Sequence, residues 1–311
     1  MRLIRGLHNL RPADRGCVAT IGNFDGVHLG HRAVFQRLIE RGRTLDLPAT
    51  VITFEPQPME FFSPDAAPAR LTRLREKVAA IADDGIERVM LLEFGPRLAR
   101  MGAGTFIQRL LVDGLGARFL LVGDDFRFGH NREGDFALLQ AAGREHGFDV
   151  ENLHTIKHAD ERISSTRIRE ALARGDLDQA QHMLGRPYRI CGRVAHGDKR
   201  GRSIGFPTAN INLHRRASPL RGVFAVMVHG LEQEALAGVA NIGRRPTVDG
   251  TEERLEVHLF DFDADIYGTH LSVEFRLRLR DEQRFESFEA LKAQIARDAA
   301  AAREFLGVAR N

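Results

Sequence analysis

The sequence predicts two domains: an α/β domain with a parallel sheet, followed by an antiparallel β-barrel or sandwich with a closing helix. Three observations support this fold class. Apolar runs alternate with helical patterns in the first half, apolar and polar residues alternate in a later stretch, and 311 residues exceed one usual core. We place the boundary at Gly185-Arg186-Pro187, which gives domains 1–184 and 185–311.

Four apolar runs in the first domain predict buried strands, and helical patterns lie between and after them. The strand candidates are Val18–Ile21, Ala49–Phe54, Val89–Phe94 and Phe119–Val122. The helical patterns cover residues 31–45, 70–84, 104–115 and 134–146. Strands that alternate with helices favour βαβ units, whose ligands bind at the carboxyl ends of the strands.

The second domain has the pattern of an antiparallel sheet. Leu271–Arg280 alternates apolar and polar residues at every position, as a half-buried strand does. Further strand candidates are Ile190–Val194, Val223–Val228 and Leu255–Phe262. Glycine-containing loops join them, which predicts a β-barrel or sandwich. Apolar residues recur at helical spacing from Phe288, and Ser287 before them is a good N-cap for the closing helix.

Composition narrows the class of protein. Hydrophobic residues make up 43% and charged residues 28%, as in globular proteins, and the formal net charge is only +3. The sequence contains no long run of like charge, so nothing in its composition predicts a nucleic-acid partner. Cys17 and Cys191 lie far apart and form no metal motif or disulfide framework. Without a visible secretory signal or an apolar run of ~20 residues, we expect a cytoplasmic protein with no membrane partner.

The segment TIGNFDGVHLGHR, residues 20–32, leads from the first strand into the first helix and predicts a phosphate site. Glycines allow sharp turns and close approach, and a helix N-terminus attracts phosphate. His28 and His31 lie three residues apart, so both can face one ligand. Alone, the pair also fits a metal half-site or polar surface, but the strand and loop favour nucleotide chemistry. The loop residues are Gly22, Asn23, Phe24, Asp25, Gly26 and Gly30.

Two later segments of the first domain are further candidates. After the fourth strand, Phe126 and Phe128 can stack on a flat ring while Asp125 accepts its N–H groups; alternatively, the phenylalanines anchor the loop to the core. The segment ISSTRIRE opens a helix with hydroxyls and arginines, which suits an anion or a simple cap. With the histidine loop, it favours a triphosphate held between two helix starts. Its candidate residues are Ser165, Thr166 and Arg169.

The second domain contains a glycine-rich loop after its first strand. Backbone N–H groups of such a loop can surround phosphates, and Thr208 and Asn210 supply oxygen ligands suited to Mg²⁺. The alternative is a turn-rich barrel connection. None of the four lysines follows a glycine, so a Walker A loop is excluded. The loop glycines are Gly197, Gly201 and Gly205.

In order, these segments resemble the motifs of the prokaryotic bifunctional riboflavin kinase/FMN adenylyltransferase family. The matching stretches are GNFDGVHLGHR, TFEPQP, LLVGDDFRFGHNREGD and ISSTRIREAL in the first domain, and the loop ending in PTAN, GVANIGRRPT, LEVHLFDF and LRDEQRF in the second. The resemblance covers nearly the whole chain. It implies a Rossmann-like nucleotidylyltransferase domain and a β-barrel riboflavin kinase domain.

The resemblance also implies roles for single residues. His28 and His31 would contact the ATP phosphates, Asp125 would face the flavin ring, and Glu256 would lie beside the ribityl hydroxyl as a base. The chain departs from the family at Gln57, where a histidine is common. Glutamine keeps a hydrogen-bond donor but loses any positive charge.

The resemblance therefore implies two reactions with ATP, riboflavin and FMN as small-molecule substrates and Mg²⁺ as the cofactor. Riboflavin would be phosphorylated to FMN, and FMN would be adenylylated to FAD with release of pyrophosphate. Two other functions remain open from the sequence: a single-activity adenylyltransferase with a non-catalytic binding barrel, and a flavin-binding carrier. The sequence leaves the oligomeric state open.

Overall fold

The computed structural model describes the chain except residues 124, 154–156, 159–160, 196–205, 214, 248–249 and 310–311. It divides into two compact units. The first consists of Met1–Pro68 and Thr72–Ser164, and the second of Ala69–Leu71 and Ser165–Asn311. The predicted functional boundary at 184/185 stays a prediction, because compactness alone does not show where an activity begins.

The first unit is built on a six-stranded parallel sheet with the strand order β1-β4-β3-β2-β5-β6. The strands are β1 (Arg2–Arg5), β2 (Cys17–Ile21), β3 (Ala49–Glu55), β4 (Arg88–Glu93), β5 (Ala117–Gly123) and β6 (Asp149–Leu153). The four predicted strands are β2 to β5. Strands β1 and β6 lie at the two edges, and their polar sequences gave no apolar run.

Helices cover the sheet of the first unit. They are α1 (Leu29–Leu45), α2 (Pro58–Phe62), α3 (Leu74–Asp83), α4 (Pro96–Ala99), α5 (Ala103–Phe106) and α6 (Phe136–His146), with a π-helical segment (Ile107–Val112) continuing α5 and three short 3₁₀ turns, Leu7–Asn9, Pro12–Asp14 and His130–Arg132. The helical pattern at 70–84 produces a helix only from Leu74, after Arg73 as N-cap.

The strand order places the first-unit motifs beyond the carboxyl ends of two neighbouring strands in the middle of the sheet. The chain runs from β2 outward to β3 and β4, and then returns to place β5 on the other side of β2. Ligands of open parallel sheets bind where the order reverses, beyond the carboxyl ends of the strands. The loops after β2 and β5 leave the sheet at this position, so the predicted placement of both motifs is confirmed.

The second unit contains a closed six-stranded antiparallel barrel with the order β10-β13-β12-β11-β14-β9. Its strands are β9 (Arg189–Ala195), β10 (Ala209–Asn212), β11 (Gly222–His229), β12 (Leu236–Thr247), β13 (Gly250–Leu259) and β14 (His270–Arg280), and a small hairpin in the first unit pairs β7 (Lys157–His158) with β8 (Glu161–Arg162). Pairing of β9 with β10 closes the circle, which resolves the choice between barrel and sandwich.

Within its described residues, the second unit has three helices. They are α7 (Ser165–Arg174), α8 (Leu177–Leu184) and α9 (Phe288–Leu306), which is the predicted closing helix. Ser287 caps α9, because its hydroxyl accepts the Ala290 N–H at 3.1 Å. Ala299 and Ala302 of α9 pack into an apolar cluster with outward-facing barrel residues such as Val223 and Val239. The bidentate ion pair of Arg280 with the buried Asp298 fixes α9 to β14.

Candidate functional site

The loop after β2 has an unusual backbone. Phe24 and Val27 have positive φ angles of 47° and 42°, and Gly26 has a φ of 86°. Side chains with a Cβ rarely adopt this conformation, so the surroundings must stabilise it. Phe24 is buried, and its ring packs against Phe35 of α1 at a centroid distance of 5.1 Å. A Cβ at Gly22 would lie 3.0 Å from the Phe24 ring, so glycine leaves that ring its place.

Asp25 is buried and stabilises this loop through hydrogen bonds rather than pointing toward solvent. The side chain is 2% exposed and accepts hydrogen bonds from Thr72 N at 2.9 Å and from Thr72 Oγ1 at 3.0 Å. The same hydroxyl accepts the Gly26 N–H at 2.9 Å. The Asn23 carbonyl also accepts from Thr53 Oγ1 at 3.3 Å. Sequence reasoning placed Asp25 in the loop but gave no signal for Thr72 as its partner.

The structure brings His28 and His31 together at the start of α1. Their rings stack with centroids 3.6 Å apart and planes inclined by 18°. His28 is the N-cap, and its Nδ1 accepts the His31 N–H at 3.4 Å. The neutral ring of His28 therefore carries its proton on Nε2, which is a hydrogen-bond donor. Two imidazoles at a helix N-terminus together suit an anionic phosphate.

Gln57 lies just beyond β3, where it is the N-cap of α2. The residue is 8% exposed, and its backbone N–H donates to Glu60 Oε2 at 2.9 Å. Among the described residues, no hydrogen-bond partner exists for its buried Nε2. An unmatched buried donor costs free energy unless a ligand or water accepts from it. The structure thus gives Gln57 an available donor, although not the positive charge of a histidine.

The loop after β5 is anchored by its phenylalanines. Phe128 is 7% exposed in the core beside Phe106, and the partly buried Phe126 ring stacks on it at 5.5 Å. Two backbone hydrogen bonds pair Phe128 with Gly134. Asp125 is exposed. The anchoring alternative therefore describes Phe128, while flavin contacts of Asp125, Phe126 and Phe128 remain predictions.

Ser165 and Thr166 open α7, as the sequence predicted, and this helix belongs to the second unit. Arg169 lies one turn further, where its Nε donates to the Ala69 carbonyl at 2.6 Å. Part of its guanidinium is thus committed to a backbone contact. The phosphate roles of Ser165, Thr166 and Arg169 remain predictions from the resemblance.

In the barrel, Glu256 stands in the middle of β13. Leu255, Val257 and Leu259 are 0%, 1% and 5% exposed, which confirms that they face the core. Glu256 and His258 are half-buried on the opposite face. Asn210 of β10 lies directly opposite Glu256 in the strand register. The barrel therefore puts a predicted Mg²⁺ ligand next to the predicted base, although they are 46 positions apart in the sequence.

His258 contacts the segment that precedes Thr208 and Asn210. Its Nδ1 donates to the Pro207 carbonyl at 2.9 Å, and its ring makes an edge contact with Phe206 at 5.2 Å. Burial, the largest influence, lowers the pKa of His258 below its ordinary value, as does nearby Arg303, while the Pro207 hydrogen bond and Asp261 oppose this. An open cavity beside it is lined by Pro207, His258, Leu259, Asp261, Phe262 and Asp263.

Some predicted features cannot be placed. Gly197, Gly201 and Gly205 lie outside the described residues, so the glycine-rich loop remains a prediction. No group of three or more histidine, cysteine or acidic side chains able to hold a metal occurs in the described ranges. Thr208 and Asn210 supply neutral oxygens, which fits an ion such as Mg²⁺ that takes its remaining ligands from water and substrate phosphates.

The fold and the sites define a chain that joins a nucleotide-binding type of α/β sheet to a closed antiparallel barrel. A family model described as FAD synthetase matches residues 10–167, and one described as riboflavin kinase matches residues 184–306. The chain belongs to the bifunctional riboflavin kinase/FMN adenylyltransferase family, and it is an enzyme with both activities. A non-catalytic barrel is not favoured, because the kinase family model covers the barrel.

Relatives of that name match the chain over almost its full length. The protein of Escherichia coli K12 is 56% identical over 99% of both chains, that of Pseudomonas fluorescens 54% over 97%, and that of Haemophilus influenzae 50% over 98% of this chain and 99% of the relative. A Streptococcus pneumoniae structure named a macrolide-efflux protein has a TM-score of 0.81 at 30% identity, covering 97% of this chain and 99% of that one. None of the helices described here is long and apolar enough to cross a membrane.

Proposed function

We propose that His28 and His31 assist adenylyl transfer from ATP to FMN. The FMN phosphate oxygen forms a bond to the α-phosphorus of ATP while the bond from that phosphorus to the bridging oxygen breaks, which releases pyrophosphate. The observation that carries this proposal is the stacked histidine pair at the N-terminus of α1. The Nε2–H of His28 and the helix N–H groups would stabilise charge on the transferring phosphate.

Gln57 takes part in the same proposal as a neutral donor. Its buried Nε2 would donate to a phosphate oxygen, a contact that supplies a hydrogen bond but no compensating charge. The glycines Gly22, Gly26 and Gly30 would let the phosphates approach the backbone. For Gly30, the His28 ring lies 3.1 Å from where a Cβ would stand, so a side chain there would press on the histidine.

We propose that Glu256 is the general base of riboflavin phosphorylation. Its carboxylate would accept the proton of the ribityl 5′-hydroxyl, whose oxygen forms a bond to the γ-phosphorus of ATP as the bond to ADP breaks. Mg²⁺, when bound through Thr208 and Asn210, would neutralise phosphate charge. The position of Asn210 directly beside Glu256 supports this arrangement.

The decisive experiment separates the two activities in one purified chain. Incubation with riboflavin, ATP and Mg²⁺, followed by chromatography of the flavins, is expected to yield FMN and then FAD, and chelation of Mg²⁺ is expected to stop both. A parallel incubation that starts from FMN reports the second step alone. FAD formation from FMN without any consumption of riboflavin would contradict the kinase proposal.

We propose that the riboflavin kinase domain covers residues 185–311. A fragment covering 185–311 is expected to fold and make FMN but no FAD. A fragment covering 165–311 is the matched control, because it adds α7 and α8 of the same compact unit. Kinase activity in the longer fragment alone would move the boundary to the start of α7.

We also propose a cytoplasmic location, which cell fractionation tests, and small molecules as the only required partners.

A further inference from the structure

Glu256 has an asparagine on each side of it. Within the barrel, β13 lies between β10 and β12, and Glu256 pairs in register with Asn210 on one strand and with Asn241 on the other. All three residues are half-buried. Residues directly opposite each other on antiparallel strands point to the same face, with Cβ atoms about 4.5–5.5 Å apart. The three polar side chains therefore form one row across the barrel surface.

Asn241 interrupts an apolar strand face. The preceding outward positions of β12, Ala237 and Val239, are buried in the cluster that α9 covers. The neighbour of Asn241 on β11 is Val223, which belongs to the same cluster. A half-buried amide costs free energy next to such a surface unless it makes a hydrogen bond. Its position suggests a functional partner, and Glu256 is the polar neighbour across the strand pair.

We propose that Asn241 is a positioning residue for riboflavin phosphorylation. In this role its amide N–H would donate to one carboxylate oxygen of Glu256 and so fix the orientation of that side chain. The other oxygen then accepts the proton of the substrate hydroxyl. This inference rests on the proposed role of Glu256 as the base.

Charged neighbours make a neutral donor useful here. Arg254 and His258 share the outer face with Glu256 on β13, two residues away on either side. On β12, a Cβ at Gly243 would overlap the Glu282 carboxylate, so a second acid lies over the strand near Asn241. Arg254 carries a positive charge and Glu282 a negative charge. An amide orients the base without adding to either charge.

The test measures the kcat of riboflavin phosphorylation and the KM for riboflavin. Asn241→Ala is expected to lower kcat by roughly 10- to 100-fold, the effect of losing a hydrogen bond to a charged group. The KM for riboflavin should change little. Asn241→Asp keeps the shape but replaces the amide donor with a second carboxylate, so its loss of kcat should be at least as large. Asn212→Ala, on the same face of β10 but opposite Arg254, is the matched control and should change neither quantity.

A double-mutant cycle assigns the effect to Glu256. In a Glu256→Gln background, Asn241→Ala should cause less than about a twofold further loss, because no base remains to be positioned. Full additivity would overturn the inference, as would a kcat of Asn241→Ala equal to that of Asn212→Ala. Near-normal activity of Glu256→Gln alone would overturn the base proposal and this inference together. Thermal unfolding of each variant shows whether the barrel is intact, and Asn241→Asp carries the test if Asn241→Ala unfolds.

Discussion

The two units present their proposed catalytic side chains in different ways. In the α/β unit, His28 and His31 come from a loop and a helix start, and the loop contains two non-glycine residues with positive φ. In the barrel, Glu256 comes from the middle of a strand with a paired strand on each side. The first site depends on contacts that stabilise an unfavourable backbone, and the second depends on strand register.

This difference predicts different sensitivities. Loop geometry held by the Asp25–Thr72 contacts should respond to removal of single hydrogen bonds. A strand position has its backbone fixed by pairing on both sides, so only its own side chain and its neighbours across the strands should matter. The following predictions test the contrast, from the largest expected effect to the smallest.

The strand site should depend most on one carboxylate. Glu256→Gln keeps the shape but cannot act as a base, so riboflavin phosphorylation should fall by roughly 10²-fold or more. Conversion of supplied FMN to FAD should continue near the parent rate. Paired assays on one purified variant, starting from riboflavin and from FMN, measure both. Near-normal FMN production would return Glu256 to the role of a solvated strand residue.

The loop site should show the reverse pattern. His31→Ala should lower FAD formation from FMN by ~100-fold, the usual scale for losing a transition-state contact. Riboflavin phosphorylation should barely change, because the kinase site lies in the other unit. His8→Ala, on an exposed 3₁₀ turn of the same unit, is the control. Equal loss of both activities would indicate a folding defect instead.

Support of the loop backbone can be removed without touching a histidine. Thr72→Val deletes the hydroxyl that bonds both Asp25 and Gly26, and should destabilise the first unit by about 1–3 kcal/mol. FAD formation should slow as well. Thr53→Val removes a single longer hydrogen bond to the same loop and should cost less. Thermal unfolding with both flavin assays measures the effect, and equal behaviour of the two variants would refute the special role of Thr72.

The barrel should lose stability in mild acid through His258. Folding lowers the pKa of His258, so below the ordinary value of 6.5 the unfolded chain binds more protons than the folded chain. The stability therefore decreases as the pH decreases, until the pH is below the pKa of the folded state. His258→Gln keeps a donor for the Pro207 carbonyl but does not titrate. Thermal unfolding at several pH values should show a smaller loss below pH 6.5 in the variant. An unchanged pH dependence would contradict this contribution.

The smallest effect is expected at Gln57. If a histidine is the better phosphate partner, Gln57→His should leave FAD synthesis intact or improve it a little. The measurement is the rate of FAD formation from FMN, with thermal stability as the control. A large loss at unchanged stability would show that the glutamine has a role of its own, or that the pocket has repacked around it.

Several features followed from the sequence because they depend on local pattern. The four central apolar runs became β2 to β5, and alternation in Leu255–Leu259 correctly separated core from surface. In Leu271–Arg280 alternation predicted the strand but not all of its burial, because Glu274 is 4% exposed and Leu277 is 36% exposed where the pairing with β11 shifts register. Ser287 marked the beginning of α9. The motif loops were predicted at the carboxyl ends of parallel strands, where the structure has them. Family motifs in order were enough to indicate both activities.

Other features needed contacts between distant segments. The barrel closes through β9 and β10, and no local pattern specifies that pairing. Periodicity alone therefore left barrel and sandwich open, and the barrel was implied only by the family resemblance, which the structure confirms. Phe128 has the side chain for stacking on a ligand, yet tertiary packing places it in the core with Phe106. The sequence placed Asp25 in the phosphate loop, but only the structure shows that Thr72, 47 residues away, donates to its carboxylate.

By itself, the sequence determined the element types, the two-domain order, the family and the candidate residues, because periodicity and motifs are written in neighbouring residues. Only the tertiary structure decided which side chains lie next to the candidate residues. A one-residue change of register would turn Asn241 and Asn210 away from Glu256. That register depends on the free energy of packing the whole barrel, to which residues far apart in the chain contribute together.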